Sequence, residues 1–180
     1  LFPPDTLQER AAMPAGVRIS FRSNTSILAG HIEPYPETTL QEYPTRYLDL
    51  FCNGHFQHSV DLARQHSFAF RNLSPEEKLI ELWLPQHSEF RLKSLELSDE
   101  ATIAPYNDIR PRWITYGSSI THCRSAERPS LTWPAIVARA LPANPVAAVV
   151  AVAAVPPKAP DVAIEPKPLR RLEILYSGLP

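Results

Sequence analysis

Apolar and polar residues alternate over much of the first hundred positions with the two-residue period of a half-buried β-strand. The alternation covers residues 17–22, 48–52 and 90–97. Residues 79–84 carry apolar side chains at both parities, which is typical of a strand covered on both faces. The pattern therefore predicts several short strands, with another over residues 68–70.

Two local signals refine this pattern. The Asn53-Gly54 pair accepts the positive φ angles of a tight hairpin turn and predicts a return strand from His55. Within residues 90–97 the apolar positions change parity near Ser94, which predicts a β-bulge there. Short strands with frequent turn residues and almost no helical periodicity predict an antiparallel, jelly-roll-like β-sandwich over residues 15–108.

A different pattern follows over residues 109–141. The run RWITYG reads as a short strand that enters a glycine turn, and a helix is predicted after Thr132, with Pro134 in its first turn. A strand, a Gly-Ser turn and a helix form the arrangement by which α/β enzymes place a nucleophile or bind an anion. The hydroxyls of Ser118 and Ser119 are therefore candidates for chemistry, although such a sequence also occurs in plain turns.

Residues 142–180 form a tail rich in Pro, Ala and Val. The chain has 20 prolines against 5 glycines, and seven of the prolines lie between positions 142 and 168. Proline removes a backbone donor and is excluded from helix interiors and central strands. The tail is therefore predicted to be mostly irregular.

Composition narrows the classes of function. With 18 basic and 19 acidic residues mixed along 180 positions, the chain has no basic stripe for nucleic acid. The longest apolar run, residues 146–155, is shorter than the roughly 20 residues that span a bilayer, so no membrane partner is expected. Because no signal peptide is visible, a cytoplasmic location is favoured. Two cysteines, Cys52 and Cys123, do not make a disulfide framework.

The run YGSSITHC, followed by PSLTWPAIVAR, resembles the first conserved block of the SGNH (GDSL-type) hydrolase superfamily. The resemblance is closest to two-domain bacterial members that carry a β-sandwich before the hydrolase domain. It extends over about residues 17–141, and its most specific part is Gly117–Thr121. It implies that the sandwich is followed by the start of an α/β hydrolase domain.

The resemblance also implies roles for individual residues. Ser119 matches the nucleophile, and its backbone N–H matches one oxyanion-hole donor, while Gly117, Ser118 and Thr121 support the turn. Ser118 stands where most of the family has an acidic residue. The implied activity is that of a serine esterase or acylhydrolase, or of an acyltransferase, acting through an acyl-serine intermediate without metal or organic cofactor. The implied substrate is a small ester or an acylated carbohydrate.

The remaining parts of such an active site are not found in this sequence. After Ser119 the chain has one histidine, His122, one aspartate, Asp161, and one asparagine, Asn144, none of them in the family's later motifs. Nearness in sequence does not give His122 the geometry of a base. The chain is therefore expected to be catalytically incomplete, truncated or shifted in reading frame after about Leu141.

Other candidates favour structural roles. Cys52, His55 and His58 have a spacing that could suit a metal, but the turn at Asn53-Gly54 separates them, so solvated hairpin histidines are expected. Core packing is favoured for the three tryptophans, with sugar stacking as the alternative: Trp83, Trp113 and Trp133. A non-catalytic sandwich that binds a carbohydrate or another domain, and a defective product without activity, are the competing hypotheses. The sequence indicates no oligomeric state.

Overall fold

The structure is a computed structural model, and it describes residues 12–35, 46–87, 89–110, 112–115, 117, 119–123, 125–140, 146–148 and 171–173. Its first part is built from short strands, as the alternation predicts. Their bounds are β1 Arg18–Ser23, β2 Leu28–Ile32, β3 Tyr47–Cys52, β4 His55–Asp61, β5 Ser67–Phe70, β6 Lys78–Trp83, β7 Leu92–Leu97 and β8 Ile103–Pro105.

The strands form two antiparallel sheets. The first sheet has the order β4-β3-β6-β1-β8, and the second contains β7-β2-β5 with one more short strand, β11 (Arg171–Glu173), beside β7. The predicted antiparallel sandwich is confirmed, and the described part of residues 17–97 contains no long helix.

Both local predictions for the strands are confirmed. Asn53 and Gly54 have φ angles of 49° and 77° and join β3 to β4 as a tight hairpin. In the second sheet His31 pairs with Ser94, whereas Ile32 pairs with Leu92. One residue of β7 is therefore left over between these pairs, which is the bulge that the change of parity indicates.

The main core lies between the two sheets. Alternate residues of the central strands point into it and are almost completely buried: Phe21, Leu28, Leu48, Leu50, Ile80, Leu82 and Leu95. The neighbouring residues of β3 and β6 point to the opposite face of the first sheet, and they are buried as well. Phe51 and Trp83 form a second small cluster there with Ala135, which belongs to the C-terminal part of the chain.

The C-terminal part is a small parallel β-α-β unit. Its strands are β9 (Arg112–Ile114) and β10 (Val146–Ala148), which pair in parallel. Between them lie the one-turn helix α1 (Ser119–His122), a 3₁₀ turn (Pro129–Leu131) and the helix α2 (Trp133–Ala140). Parallel neighbouring strands need such a crossover connection, so the predicted start of an α/β unit is observed.

The helix α2 begins where the sequence predicts. The Thr132 carbonyl accepts a hydrogen bond from the Ile136 N–H, as the carbonyl of an N-cap residue does, and Pro134 lies in the first turn. The Thr132 hydroxyl, however, donates to the Pro129 carbonyl at 3.0 Å and so stabilises the preceding turn.

The tail is not wholly irregular. The strands β10 and β11 lie within residues 142–180, where little regular structure is predicted. Both are three-residue strands at the edge of a sheet, and β9 and β7 offer them backbone partners. The other residues of the tail lie outside the described residues, and the division of the chain near positions 108 and 141 stays a prediction. No described helix has the length and apolar character needed to cross a membrane.

Candidate functional site

The candidate nucleophile opens the helix α1. Ser119 is the first residue of α1 and follows β9 after a short turn that contains Gly117. The adjacent Ser118 lies outside the described residues. The order of strand, glycine turn and helix is therefore the one expected from the sequence.

Gly117 and Thr121 are packed against each other across this turn. A Cβ atom placed on Gly117 would overlap Oγ1 of Thr121 and would lie 3.0 Å from the Thr121 Cβ. The turn therefore needs glycine for close approach. Both residues are half-buried, so they shape the turn from within.

His122 closes α1 and points away from solvent. Its side chain is buried, and its Nε2 atom lies 2.6 Å from the backbone carbonyl oxygen of Gln86. Gln86 follows β6 and therefore belongs to the sandwich. A carbonyl oxygen only accepts hydrogen bonds, so Nε2 carries the proton and donates it. This nitrogen then has no free lone pair with which to take a proton from a serine hydroxyl.

Cys123, the residue after α1, is a poor alternative nucleophile. Burial raises the pKa of its thiol above the ordinary value, which keeps the sulfur protonated near neutral pH. The thiol donates to the carbonyl of Ile120 at 3.2 Å, and Cys123 itself has a φ angle of 57°. The residue therefore ends the helical turn and is not poised for attack.

The segment after α1 is fixed to the outer face of the first sheet. The buried Asp49 of β3 accepts a hydrogen bond at Oδ2 from the Ser130 N–H, at 3.1 Å. On α2, the Arg139 guanidinium donates to the Ser130 carbonyl and lies 5.0 Å from the ring centroid of Phe51 and 5.5 Å from that of Trp83. These contacts make the sheet and the α-β unit one packed assembly at this face.

Several charged side chains lie close together where α2 packs against the first sheet. Arg18 pairs with Glu81 at 3.1 Å and with Asp108 at 3.2 Å. Burial lowers the pKa of Arg139, and the carboxylates of Glu81 and Asp49 oppose that shift. Because an arginine pKa lies so far above neutrality, the guanidinium remains charged.

Apolar side chains of α1, the 3₁₀ turn and α2 remain exposed. These residues are Ile120, Leu131, Trp133 and Ile136. Trp133 is 40% exposed, and its indole N–H donates to the Ile120 carbonyl at 3.3 Å. Core packing is confirmed for Trp83, which is fully buried, but is wrong for Trp133, because α2 turns that residue away from the sheet. The side chain of Trp113 lies outside the described residues.

The hairpin residues with metal-like spacing do not converge. Cys52 is buried against the main core, and burial raises the pKa of its thiol. His55 and His58 are exposed on β4. No group of three or more potential ligands is found among the described residues.

Several residues of the site could not be identified from the sequence. Asp49 and Gln86 bind the α-β unit to the sandwich, yet neither belongs to a recognisable motif. Arg139 ends the run PSLTWPAIVAR, but that run does not indicate its packing on Phe51 and Trp83. One signal was available: Asp49 alternates with core residues in β3, beside Phe51 on the same face. The signal is Phe51, because a large apolar residue on the face opposite the core indicates that a further layer covers that face.

Comparison with known proteins identifies the sandwich. The family model described as "SsfX3, N-terminal domain" matches residues 1–93. No curated protein matches the chain significantly.

Solved structures extend the similarity into the α-β unit. The salicylyl-acyltransferase SsfX3 from a tetracycline biosynthetic pathway is 32% identical with a TM-score of 0.69, and the match covers 81% of this chain and 42% of that one. A putative GDSL-like lipase from Bacteroides ovatus ATCC 8483 is 28% identical with a TM-score of 0.63, covering 81% and 47%.

A family two carbohydrate esterase from Clostridium thermocellum, solved in complex with cellohexaose, shares the fold. Its TM-score is 0.51 at 13% identity, with coverage of 74% and 45%. The chain thus spans less than half the length of each of these structures. Since the family model covers residues 1–93 of 180, the chain belongs to the SsfX3 N-terminal domain family, among the SGNH/GDSL-type hydrolases and acyltransferases.

Proposed function

We propose that this chain is the N-terminal portion of an SGNH-type serine acylhydrolase, in which Ser119 supplies the nucleophile. The observation that carries the proposal is the position of Ser119 at the start of α1, directly after β9 and the close-packed Gly117. This turn is held on a sandwich that belongs to the SsfX3 N-terminal domain family.

In the proposed reaction the Ser119 hydroxyl oxygen attacks the carbonyl carbon of an ester. The hydroxyl proton passes to a base, the carbonyl oxygen becomes an oxyanion, and the alcohol leaves with a proton. The Ser119 backbone N–H donates to the oxyanion, while Gly117, Ser118 and Thr121 support the turn. Water then cleaves the acyl-serine in a hydrolase, and an acceptor hydroxyl does so in an acyltransferase. A small ester or an acylated carbohydrate is the proposed substrate, and the chemistry requires no cofactor.

No base for Ser119 is identified among the described residues. Among the described residues that follow Ser119, His122 carries the imidazole, and its Nε2 is committed to the Gln86 carbonyl. Asp161 and Asn144 lie outside the described residues. A serine without a base keeps its proton near neutral pH, so the chain is proposed to be catalytically incomplete.

The proposal is tested by completing the site. Residues 1–141 are joined to the part of the SsfX3 acyltransferase that follows its matched portion, and hydrolysis of p-nitrophenyl acetate is measured. We expect turnover, a fluorophosphonate adduct on the peptide that contains Ser119, and loss of both in Ser119→Ala. The exposed Ser125 provides the control, because Ser125→Ala should leave both unchanged. A folded fusion that keeps its turnover in Ser119→Ala would disprove the assignment.

The competing function is that of a binding module. Its supporting observation is the outer face of the first sheet, where the buried Phe51 and Trp83 bind the α-β unit, and this favours binding of a domain over binding of a carbohydrate. A carbohydrate-binding module predicts retention of the 180-residue chain on immobilised cellulose or acetylated xylan. Retention together with an inert Ser119 in the fusion would favour this function over the enzyme.

A further inference from the structure

The turn that carries the proposed nucleophile is fastened to the sandwich at the far end of α1. We propose that His122 is a positioning residue, which fixes the orientation of α1 and so of Ser119 by donating from Nε2 to the Gln86 carbonyl. This inference rests on the proposed function of Ser119, but the contact itself is independent of any activity.

The helix α1 cannot hold its own orientation. It has four residues, and helices shorter than about 12 residues are marginal without tertiary contacts. Ser119 and His122 are separated by three positions, so they lie on neighbouring parts of the same turn. A contact that fixes the His122 ring therefore also limits the rotation of the backbone at Ser119.

The anchor on the sandwich is well fixed. Gln86 is 1% exposed and stands two residues after Leu84, whose N–H donates to the Val17 carbonyl beside β1. Its backbone carbonyl binds His122, and its side-chain amide donates to the Ala126 carbonyl at 2.9 Å. Gln86 thus binds the chain at His122 and at Ala126, on either side of the bend at Cys123.

The bend after α1 is closed by a backbone hydrogen bond. The Ala126 N–H donates to the Cys123 carbonyl at 2.9 Å, and this hydrogen bond closes a turn between the two residues. The residues on either side of the bend, His122 and Ala126, are bound by the same residue of the sandwich. Movement of α1 then requires that Gln86 lose its hydrogen bonds or that the turn open.

The contact also determines which nitrogen of His122 carries the proton. A carbonyl acceptor requires Nε2–H, whereas a general base acting through Nε2 requires the opposite tautomer. A positioning role and a role as base through Nε2 therefore predict different tautomers.

The first test is made on the unmodified chain. Long-range ¹H–¹⁵N spectra of the ¹⁵N-labelled protein at pH 7.5 report the tautomer of His122. We expect the Nε2–H form with a slowly exchanging proton. The Nδ1–H form would overturn the proposal, because Nε2 would then have no proton to donate to Gln86.

The second test compares two substitutions by amide hydrogen exchange. His122→Leu removes the donor, and exchange over residues 120–123 should become about ten-fold faster, the change expected for one lost hydrogen bond of typical strength. His122→Gln offers an amide donor at similar reach and should keep exchange within about three-fold of the unmodified chain. Amides of β3 and β6 serve as the folding check in both variants.

Unchanged exchange in His122→Leu, or equal loss of protection in both variants, would contradict a positioning role. If His122→Leu fails the folding check, the tautomer in the unmodified chain decides. None of these measurements depends on the reactivity of Ser119. An inert fusion protein would therefore count against the proposed function and not against this contact.

Discussion

The carboxylate of Asp49 accepts a hydrogen bond from the backbone N–H of Ser130, 81 positions later in the chain, at 3.1 Å. Both residues are buried. The other carboxylate oxygen accepts from the Ser59 hydroxyl of the neighbouring strand β4. One side chain of the sandwich thus fixes the 3₁₀ turn that leads into α2, in a place where an unpaired donor would be costly.

Removing this carboxylate should destabilise the protein. In Asp49→Ala the Ser130 N–H and the Ser59 hydroxyl lose their acceptor, and we expect the free energy of unfolding to fall by about 3 kcal/mol. Asp49→Asn keeps one oxygen acceptor and adds an amide donor, so the loss should be about 1 kcal/mol. Urea unfolding measures both values. Equal losses in the two variants would show that the acceptor for Ser130 is not what matters.

A side chain at Gly117 should disturb the turn that precedes Ser119. The added Cβ of Gly117→Ala would overlap Oγ1 of Thr121, so the turn must shift, at a cost of about 1–3 kcal/mol. Thr121→Ala removes the overlapping oxygen, and the double variant should recover part of that cost, which a double-mutant cycle in urea measures. Purely additive losses would mean that the two residues do not meet as described.

Stability should fall with mild acidification because of His87. Burial lowers the pKa of His87 below its ordinary 6.5, and the nearby Arg46 charge lowers it further. The unfolded chain then takes up a proton at a higher pH than the folded protein does. The contribution of neutral His87 to the free energy of unfolding is therefore fully present above about pH 6.5. It is lost as the pH falls toward the pKa that His87 has in the folded protein.

The measurement for His87 is urea unfolding at pH 7.5 and pH 5.0. We expect the free energy of unfolding to decrease over this interval, and the decrease should be smaller in His87→Asn, which cannot titrate. Histidines that do not interact with His87 contribute equally to both proteins, so the difference reports on His87 and its immediate surroundings. An identical decrease in the variant would show that His87 is not the group responsible.

Six of the eight strands of the sandwich, β1 and β3 to β7, were predictable because their signals depend on nearby residues, whereas β2 and β8 were not predicted. The alternation in β1 and β3, the turn at Asn53-Gly54 and the bulge near Ser94 each follow from side-chain period or backbone preference over a few positions. The apolar residues at both parities of β6 also indicated that this strand is covered on both faces.

What covers the outer face could not be predicted. The 3₁₀ turn covers Asp49, and α2 covers Phe51 and Trp83. These segments lie some fifty or more positions away, and the residues of β3 and β6 do not indicate which part of the chain covers them. The same limit applies to β10, because proline-rich surroundings favour an irregular tail and a parallel partner strand is not visible in the sequence. The exposure of Trp133 depends on the orientation of α2, which local periodicity does not define.

The turn at Gly117, which leads from β9 to Ser119, is predicted by the sequence motif and is also present in the structure. Its placement between β9 and α1 was predictable because the glycine, the hydroxyls and the apolar strand are adjacent in sequence. The engagement of His122 by Gln86 was not, since the two residues lie 36 positions apart in separate units.

We propose that this chain carries the nucleophile of a serine acylhydrolase without its base. It is tested most directly by comparing the 180-residue chain with its Ser119→Ala variant on p-nitrophenyl acetate. Loss of a catalytic serine or histidine can cost on the order of a million-fold in turnover, and each missing oxyanion donor costs about a hundred- to a thousand-fold. We therefore expect both proteins to hydrolyse the ester at the same background rate. Turnover typical of an esterase in the unmodified chain, abolished in Ser119→Ala, would show that a base exists within these 180 residues and would contradict the account.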